Sequence, residues 1–269
     1  GTAARRLGVE DYLARAADEA VRGPMGWAAR VPPGTGRAFP EPPGPSVVER
    51  SCCRIDAESI ELRLFVDLPA LERRVRGLGA EQLLLGDLPR LATSTLLFPA
   101  RRAEEAARHA GAVEDHGAMQ LELAKRGLVA FVADGSRIAR AGGRDGGPRR
   151  DGREVAFESP PSLGVEIDLP RAGRTRGMGI PAGVTVVVGG GFHGKTTLLD
   201  AIAAAVRPHP PGDGRELVAS HPGTVAVRAE PGRSVRRADL SGFLLALPTG
   251  ECPADFSADS ASPVASEAA

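Results

Sequence analysis

The most constraining feature of the sequence is a run of β-branched residues that leads directly into a glycine-rich loop. Val184–Val188 holds five such residues in succession and has a glycine on each side. A run this short cannot make a helix, and its apolar β-branched character predicts a buried strand. The helix predicted after the loop, Lys195–Val206, carries one apolar stripe formed by Leu198, Leu199, Ile202 and Val206. The order strand, loop and helix therefore predicts an α/β fold in this part of the chain.

The loop itself, Gly189–Thr196, has the spacing GxxxxGK[ST]. Its glycines let the backbone curl so that successive N–H groups point into one concavity, and the helix that follows adds partial positive charge there. The phosphates of a nucleoside triphosphate fit such a cradle. We therefore predict a nucleotide-binding P-loop, with ATP and Mg²⁺ as the cofactors.

The polar residues of the loop have separate expected functions. Lys195 is expected to bridge the β- and γ-phosphates, which makes it a candidate catalytic residue, and the Thr196 hydroxyl is expected to bind Mg²⁺. Thr197 either caps the helix or contacts the α-phosphate. His193 either contacts phosphate or fills a position that tolerates any side chain. The candidate nucleotide-binding residues are Gly189, Gly190, Gly191, His193, Gly194, Lys195, Thr196 and Thr197.

Lysine is scarce in this chain, which makes its presence in the loop informative. Of the 34 basic residues, only Lys125 and Lys195 are lysines. A planar guanidinium cannot replace the compact ammonium that a P-loop uses as a point charge. The lysine at position 195 therefore indicates a chemical requirement rather than the general composition.

The overall composition is that of an ordinary globular protein. The chain is 42% apolar and 25% charged, and its formal net charge is zero. No apolar run approaches the roughly 18 residues that a membrane-spanning helix needs. We therefore expect an intracellular, cytoplasmic protein without a membrane partner.

A chain of 269 residues is long enough for two domains. We predict an N-terminal α+β domain over residues 1–160, with flexible segments at 23–45 and 140–160. A P-loop domain is predicted over residues 161–269, because a new strand, Leu163–Leu169, begins just after Pro160–Pro161.

Local patterns predict further elements in the N-terminal half. Val9–Val21 is predicted as an amphipathic helix with Leu13 and Ala17 inward and Asp11 on the outward face. Paired strands are predicted at 47–54 and 58–66, separate helices at 101–109 and 119–126, and a buried strand at 128–132 that ends in the turn Asp134–Gly135.

The P-loop and the residues around it resemble a known family. Gly177–Pro181, Gly183–Thr185 and Val188–Leu199 are similar to the ATPases of the ABC class, whose loop reads GGGYHGKSTLL. The resemblance continues downstream in Pro211–Glu216, which is expected to form a turn near the site. It extends upstream to short matches at Val48–Ser51, Leu68–Ala70 and Phe131–Gly135.

The resemblance implies an ABC-type P-loop NTPase half-domain preceded by an α+β N-terminal domain. It also implies a second ATPase unit, in a homodimer or another assembly, that contributes a signature element across the nucleotide. Glu230, after a strand predicted at Thr224–Ala229, matches the place of a residue that senses Mg²⁺ and the attacking water. It is the second candidate catalytic residue, although the next residue is Pro231 where the family has an acid.

The C-terminal region departs from the family pattern. Ala261–Ala269 occupies the place of the signature-like stretch, but Pro263 lacks a backbone donor and Glu267 replaces an amide. No Walker B strand, the apolar run that ends in acidic residues, follows the P-loop. We therefore expect a fragment truncated at both ends that binds ATP, with hydrolysis belonging to the complete parent protein.

Other readings stay open at this point. A P-loop kinase or GTPase is one, although the Asn-Lys-x-Asp motif of GTPases is absent from the sequence. A nucleotide-gated nucleic-acid-binding or scaffold protein without turnover is another, and it would use the arginines of 140–153 and 171–176. For the first of these arginine stretches a solvated linker is the preferred interpretation, and the zero net charge does not favour a nucleic-acid partner. The last alternative is that the chain is the product of a shortened gene model and does not fold by itself.

Overall fold

A four-stranded sheet with a helix on each face forms the core of the chain. The computed structural model describes residues 2–22, 36–71, 74–97, 100–141, 146–152, 154–188, 193–227, 234–242 and 252–258. Helices and strands are mixed along the chain, as the α/β class predicts.

The sheet is built around strand β7, Leu128–Ala133, in the order β10-β7-β9-β8. Its other strands are β8 (Gly164–Leu169), β9 (Gly173–Pro181) and β10 (Val218–Ser220), and each adjacent pair is antiparallel. The strands predicted at 128–132 and 163–169 are thus confirmed. The turn at Asp134–Gly135 is also confirmed, and Gly135 takes the left-handed φ of 85°.

Strand β7 presents its two faces to two different helices. Phe131 and Ala133 pack against α4, Ala100–Arg126, where they meet Met119 and Leu123. The alternate residues of the strand, Ala130 and Val132, belong to a second cluster that includes side chains of α5, Lys195–Ala204. Successive side chains of a strand point to opposite faces, so β7 fixes both helices on the sheet.

Helix α1, Ala3–Arg22, packs against α4 at very short range. A Cβ atom added to Gly8 would lie 2.5 Å from the Cα of Ala110. The predicted helix is confirmed, and Leu13 and Ala17 are fully buried as expected. The outward position predicted for Asp11 is wrong, because this carboxylate is buried and accepts hydrogen bonds from Arg15 of the same helix and from Arg50 and His109, which replace its water.

The prediction of two separate helices at 101–109 and 119–126 is wrong. Helix α4 is continuous over 27 residues, because buried Ala110 and Val113 tie its middle to the core as firmly as its ends. Despite its length, α4 carries many charges, and no helix in the described part of the chain is long and apolar enough to cross a membrane.

Short strand pairs and one bent helical run make up residues 36–97 of the described chain. The strands are β1 (Arg37–Phe39), β2 (Cys53–Ile55), β3 (Ile60–Leu62), β4 (Phe65–Asp67), β5 (Ala70–Leu71) and β6 (Arg74–Val75). They pair antiparallel as β1 with β4, β2 with β3 and β5 with β6. The helical run consists of α2 (Gly77–Glu81), a π-helical turn (Gln82–Asp87) and α3 (Leu88–Leu96).

The strands predicted at 47–54 and 58–66 pair only where β2 meets β3. Residues 47–50 are irregular. The last part of the predicted strand 58–66 belongs to β4, which pairs with β1 and not with β2. Strand β1 lies within the segment 23–45, of which residues 23–35 are outside the described residues. The flexibility predicted for 23–45 and 140–160 stays a prediction.

The predicted strands at 184–188 and 224–229 do not form in the part of the chain that the structure describes. Val184 and Val188 are 96% and 82% exposed, and Val225 and Val227 are exposed as well. No described strand pairs with residues 184–188 or 224–227. A β-branched run forms a strand only when neighbouring strands take its hydrogen bonds. The prediction of a buried strand at 184–188 is therefore wrong, and the strand predicted at 224–229 is absent over its described residues 224–227.

Backbone contacts divide the chain into two compact units, Gly1–Thr224 and Val225–Ala269. All the elements above belong to the first unit. In the second, β11 (Val235–Ala238) pairs antiparallel with β12 (Phe256–Ala258), and Leu240 packs against Phe256. The domain boundary near residue 160 stays a prediction.

Candidate functional site

The predicted phosphate-binding residues that the structure describes lie together at the amino end of α5. Gly194 precedes the helix with a left-handed φ of 82°, a conformation in which a side chain would be strained. His193 and Thr196 are exposed, whereas Lys195 and Thr197 are half-buried. The predicted glycines 189–191 lie outside the described residues. The helix predicted from Lys195 is confirmed and runs to Ala204.

The opposite end of α5 is held by three side chains. The imidazole of His116 donates from Nε2 to the carbonyl of Ala205 at 2.9 Å, and the hydroxyl of Ser220 donates to the carbonyl of Ile202 at 2.6 Å. Gln120 donates to the carbonyl of Val206 at 3.1 Å. Burial lowers the pKa of His116, so the ring stays neutral. These bonds satisfy carbonyls that a helix end leaves unpaired, so α5 is fixed at its carboxyl end while its amino end stays accessible.

A pair of buried arginines lies beside the first turn of α5. Arg140 and Arg215 have side chains only 7% and 3% exposed, and both bind the carboxylate of Asp213. Nη1 of Arg140 donates to Oδ2 of Asp213 at 3.0 Å. Arg215 grips the same carboxylate with two bonds, from Nε to Oδ1 at 2.7 Å and from Nη2 to Oδ2 at 3.1 Å. A planar guanidinium suits such two-point contacts.

The backbone turn at residues 210–214 gives this cluster its geometry. Asp213 N donates to the Pro210 carbonyl at 3.1 Å, and Gly214 takes a φ of 88° with its Cα facing the carbonyl of Arg137. Side chains 213 and 215 point inward, whereas Glu216 turns back to accept a hydrogen bond from Gly212 N. The turn expected for Pro211–Glu216 is therefore present, and it lies near the P-loop helix.

The charges of the cluster shift the pKa values of its own members. Burial alone would raise the pKa of Asp213, but the hydrogen bonds and charge of Arg215 lower it below its usual value. Burial lowers the pKa of Arg140, and the charge of Asp213 opposes that effect. A guanidinium keeps its proton in proteins, so the two arginines stay charged, with Asp213 bound between them and the carboxylate of Asp200 lining the same cavity.

A cavity of about 220 Å³ joins the arginine cluster to the P-loop helix. It is lined by Ile138, Arg140, Thr196, Thr197, Asp200, Ala201 and Arg215. Residues from three distant parts of the sequence therefore meet at the amino end of α5. Of the predicted site residues, Thr196 and Thr197 line this cavity.

A larger cavity, about 770 Å³, opens on the other side of the same turn. Gly212, Gly214 and Glu216 face it, together with Gly111 and Asp115 of α4. None of the predicted phosphate-binding residues that the structure describes lines it. The smaller cavity is therefore the candidate site, because Thr196 and Thr197 line it.

Sequence reasoning assigned no function to Asp213 or Arg215, and it grouped Arg140 with a solvated linker. The available signal was the Gly-Asp-Gly-Arg-Glu block at 212–216, in which an acidic and a basic residue alternate with glycine. The predicted catalytic residue Glu230 and the signature-like stretch 261–269 lie outside the described residues.

The described end of the GxxxxGK[ST] motif lies at the start of a helix, and this arrangement is that of a P-loop protein. A helix that begins at Gly194-Lys195-Thr196 packs on a sheet, and its amino end opens on a cavity lined by Arg140, Arg215 and Asp200.

Comparison with known proteins identifies the family within this class. The sequence model of the P-loop domain of ABC-class ATPases matches residues 102–269, more than half of the chain. The model named for the N-terminal region of ATPases of the ABC class matches residues 1–98. The chain belongs to the ABC-class ATPase family.

The chain is also similar to a protein of an archaeon. It is 31% identical over 137 residues to the uncharacterised protein MJ1628 of Methanocaldococcus jannaschii. The matched region covers 48% of this chain and 30% of that protein. The chain therefore corresponds to less than two thirds of this relative's length.

Proposed function

We propose that this chain binds ATP with Mg²⁺ at the amino end of α5, and that the complete protein hydrolyses it. The observation that carries the proposal is the position of Lys195 and Thr196 in the first turn of a helix whose other end is held to the core. Backbone N–H groups and the helix dipole favour phosphate there. Lys195 adds a cation for the terminal phosphates.

The residues at this site fit Mg²⁺. The Thr196 hydroxyl and the Asp200 carboxylate are one helical turn apart, and both residues line the cavity. Mg²⁺ prefers oxygen ligands and keeps several waters and phosphate oxygens in nucleotide sites. Thr196 is the residue that we propose would hold the ion, which would neutralise phosphate charge when bound. The lysine and the backbone of α5 orient the phosphates.

Binding of a fluorescent ATP analogue with Mg²⁺ tests the proposal. We expect micromolar binding that Lys195→Ala weakens by roughly 10- to 100-fold, because a charge-assisted contact contributes about 1.5–3 kcal/mol. Lys125→Ala is the matched control, since it removes the other lysine, which lies exposed on α4. Thr196→Ala should reduce the difference between binding with Mg²⁺ and binding with a chelator. Absence of binding by the unaltered chain would contradict the proposal.

The partner and location of the complete protein also belong to this proposal. We propose a second ATPase unit, such as another copy of the chain, across the nucleotide, and a cytoplasmic location. An ATP-dependent doubling of mass in sedimentation, lost in Lys195→Ala, would support the dimer. An unchanged mass at saturating ATP would count against it.

Three of the described arginines do not favour the nucleic-acid alternative. Arg149 pairs with Asp151 and Arg174 with Glu166, and Arg140 is engaged in the buried cluster. Cations already paired with carboxylates are poorly placed to neutralise a phosphate backbone. This alternative therefore stays a prediction from sequence.

A further inference from the structure

The larger cavity, about 770 Å³ in volume, lies at one end of the sheet. Residues 134–137 follow β7, residues 171–172 turn from β8 to β9, and residues 211–217 lead into β10. Because neighbouring strands are antiparallel, these three connections meet at the same end of the sheet, and residues 107–115 of α4 complete the lining. The volume lies within the range of roughly 300–1,000 Å³ that is usual for sites of small organic molecules.

Small residues on α4 keep this space open. Ala107 and Gly111 lie on the same stripe of the helix as Met119 and Leu123, since these positions are separated by multiples of about one turn. Met119 and Leu123 fill the core between α4 and the sheet, whereas the residues at 107 and 111 are too short to do so. Gly135 also lines the cavity, and a Cβ atom added to it would meet no atom within 4 Å. The same helix therefore fills the core near one end and leaves a cavity near the other.

The charged groups of the lining balance one another and are bound within the protein. They are three arginines and three carboxylates, Arg108, Arg137, Arg171, Asp115, Asp134 and Glu216. Arg137 and Arg171 each pair with a glutamate outside the lining. All three carboxylates accept hydrogen bonds from backbone N–H groups. Arg108 is exposed, so water solvates its charge. Charge therefore gives this cavity no preference for an ionic ligand.

The hydroxyl of Ser136 is the polar group that a ligand would satisfy. Ser136 lines the cavity and is only 7% exposed. Its backbone N–H donates to the carbonyl of Ala133, and its carbonyl accepts from Phe157 N. Within the described ranges, no residue forms a hydrogen bond with its hydroxyl. A buried hydroxyl without a partner is unfavourable, so a ligand that offers a hydrogen-bonding atom here gains affinity.

We propose that the larger cavity is a second ligand-binding site, which takes an uncharged and largely apolar organic molecule that hydrogen-bonds to Ser136. The apolar part of the lining that would contact it consists of Ala107, Ala112, Ala172, Pro211 and Leu217. An ion would lose its hydration on entry without gaining an unpaired counter-charge in the interior. The inference does not rest on the proposed function, because none of the described P-loop residues lines this cavity.

The test titrates Nile red, an uncharged planar dye with an acceptor oxygen, into the chain without nucleotide. We expect one dye per chain, bound at least roughly 10-fold more weakly by Ala112→Trp, because the indole would occupy the space of the dye. Ala124→Trp is the matched control, since Ala124 is exposed on the same helix and does not line the cavity; its affinity should be unchanged. Ser136→Ala should weaken binding roughly 2- to 10-fold, the effect of one neutral hydrogen bond.

Several outcomes would overturn the assignment. Absence of dye binding, or equal affinity in Ala112→Trp, would refute it; in the second case the dye would be on exposed apolar residues such as Leu78 and Leu85. Tighter binding of the anionic dye anilinonaphthalene sulfonate, lost in Arg108→Gln, would refute an uncharged ligand. Lys195→Ala should bind Nile red as the unaltered chain does. Since that variant tests the proposed function through its ATP affinity, the two proposals can fail separately.

A second variant keeps the test decisive if Ala112→Trp fails to fold. Ala172→Trp places the indole in the cavity from the turn between β8 and β9, where residue 172 is exposed and a larger side chain is tolerated. Thermal unfolding followed by circular dichroism reports whether each variant keeps its fold. A folded Ala172→Trp chain should also bind Nile red at least roughly 10-fold more weakly, and an unchanged affinity would contradict the proposal.

Discussion

Replacement of Asp11 by asparagine should destabilise the chain severely, although the residue lies far along the sequence from the P-loop. The Asp11 side chain is fully buried on α1. It accepts hydrogen bonds from Nε of Arg15 at 2.6 Å, from Nε2 of His109 at 2.9 Å and from Arg50. Burial would raise the pKa of Asp11, but the hydrogen bond from His109 and the charge of Arg15 lower it below its usual value. The group is therefore an anion at neutral pH.

The magnitude follows from what the substitution leaves behind. Arg50 and His109 have side chains only 10% and 5% exposed, so a neutral amide at position 11 would leave Arg50 buried without its counter-charge. Removing one partner of a buried ion pair costs about 3–5 kcal/mol. A domain has roughly 5–15 kcal/mol of stability in total, so Asp11→Asn should remove a large part of it.

Urea unfolding followed by circular dichroism measures this loss. Glu19→Gln, on the exposed side of the same helix, is the control and should change the free energy of unfolding by less than about 0.5 kcal/mol. The pKa of Asp11 is lower in the folded chain than in the unfolded chain. Its contribution to the free energy of unfolding is therefore complete above the unfolded-state pKa and is lost as the pH falls through the folded-state pKa. The variant should lack that acid-dependent part. A loss below about 1 kcal/mol for Asp11→Asn would refute the reasoning.

Two further predictions concern the turn and the core beside the site. Gly214→Ala should lower the free energy of unfolding by about 2–4 kcal/mol, because φ is 88° and the new Cβ would lie 2.4 Å from the carbonyl oxygen of Arg137. Gly127→Ala is the control, since Gly127 has a φ of 64° with open space around it. It should lower the free energy of unfolding by only about 1 kcal/mol in the same urea assay. Burial lowers the pKa of His209 from 6.5 to about 4, so protonation opposes folding, and stability should fall by up to about 3 kcal/mol as pH drops from 6.5 to 4. His209→Leu should flatten that part of the pH profile, and an unchanged slope in the variant would rule out His209 as its source.

Local sequence patterns, which extend over only a few residues, predicted part of this fold. Strand β7 has an unbroken apolar run between Gly127 and the turn Asp134–Gly135, and a strand needs no further information to begin and end there. The start of α5 follows from Gly194-Lys195-Thr196, since the left-handed glycine and the first turn of the helix form one local unit. The P-loop family could be recognised from the same few residues.

The other features of the fold and the site depend on interactions between segments that are distant in the sequence. Asp11 has the sequence environment of an exposed helix residue, and only the approach of Arg50 and His109 makes its burial favourable. The run 184–188 has strong strand propensity but no described neighbour to pair with. Arg140 and Asp213 are 73 residues apart, so no local pattern could assign them to one site.

The sequence alone therefore determined the proposed phosphate-binding chemistry, because that proposal depends on consecutive residues: the glycines, Lys195 and Thr196. The tertiary structure alone decided which side chains surround the amino end of α5. The Asp213 turn and Arg140 reach this place only after β7 and its neighbours have formed a sheet between two helices. Burial and charge pairing are properties of that assembled arrangement, and they exist only when segments far apart in the chain come into contact.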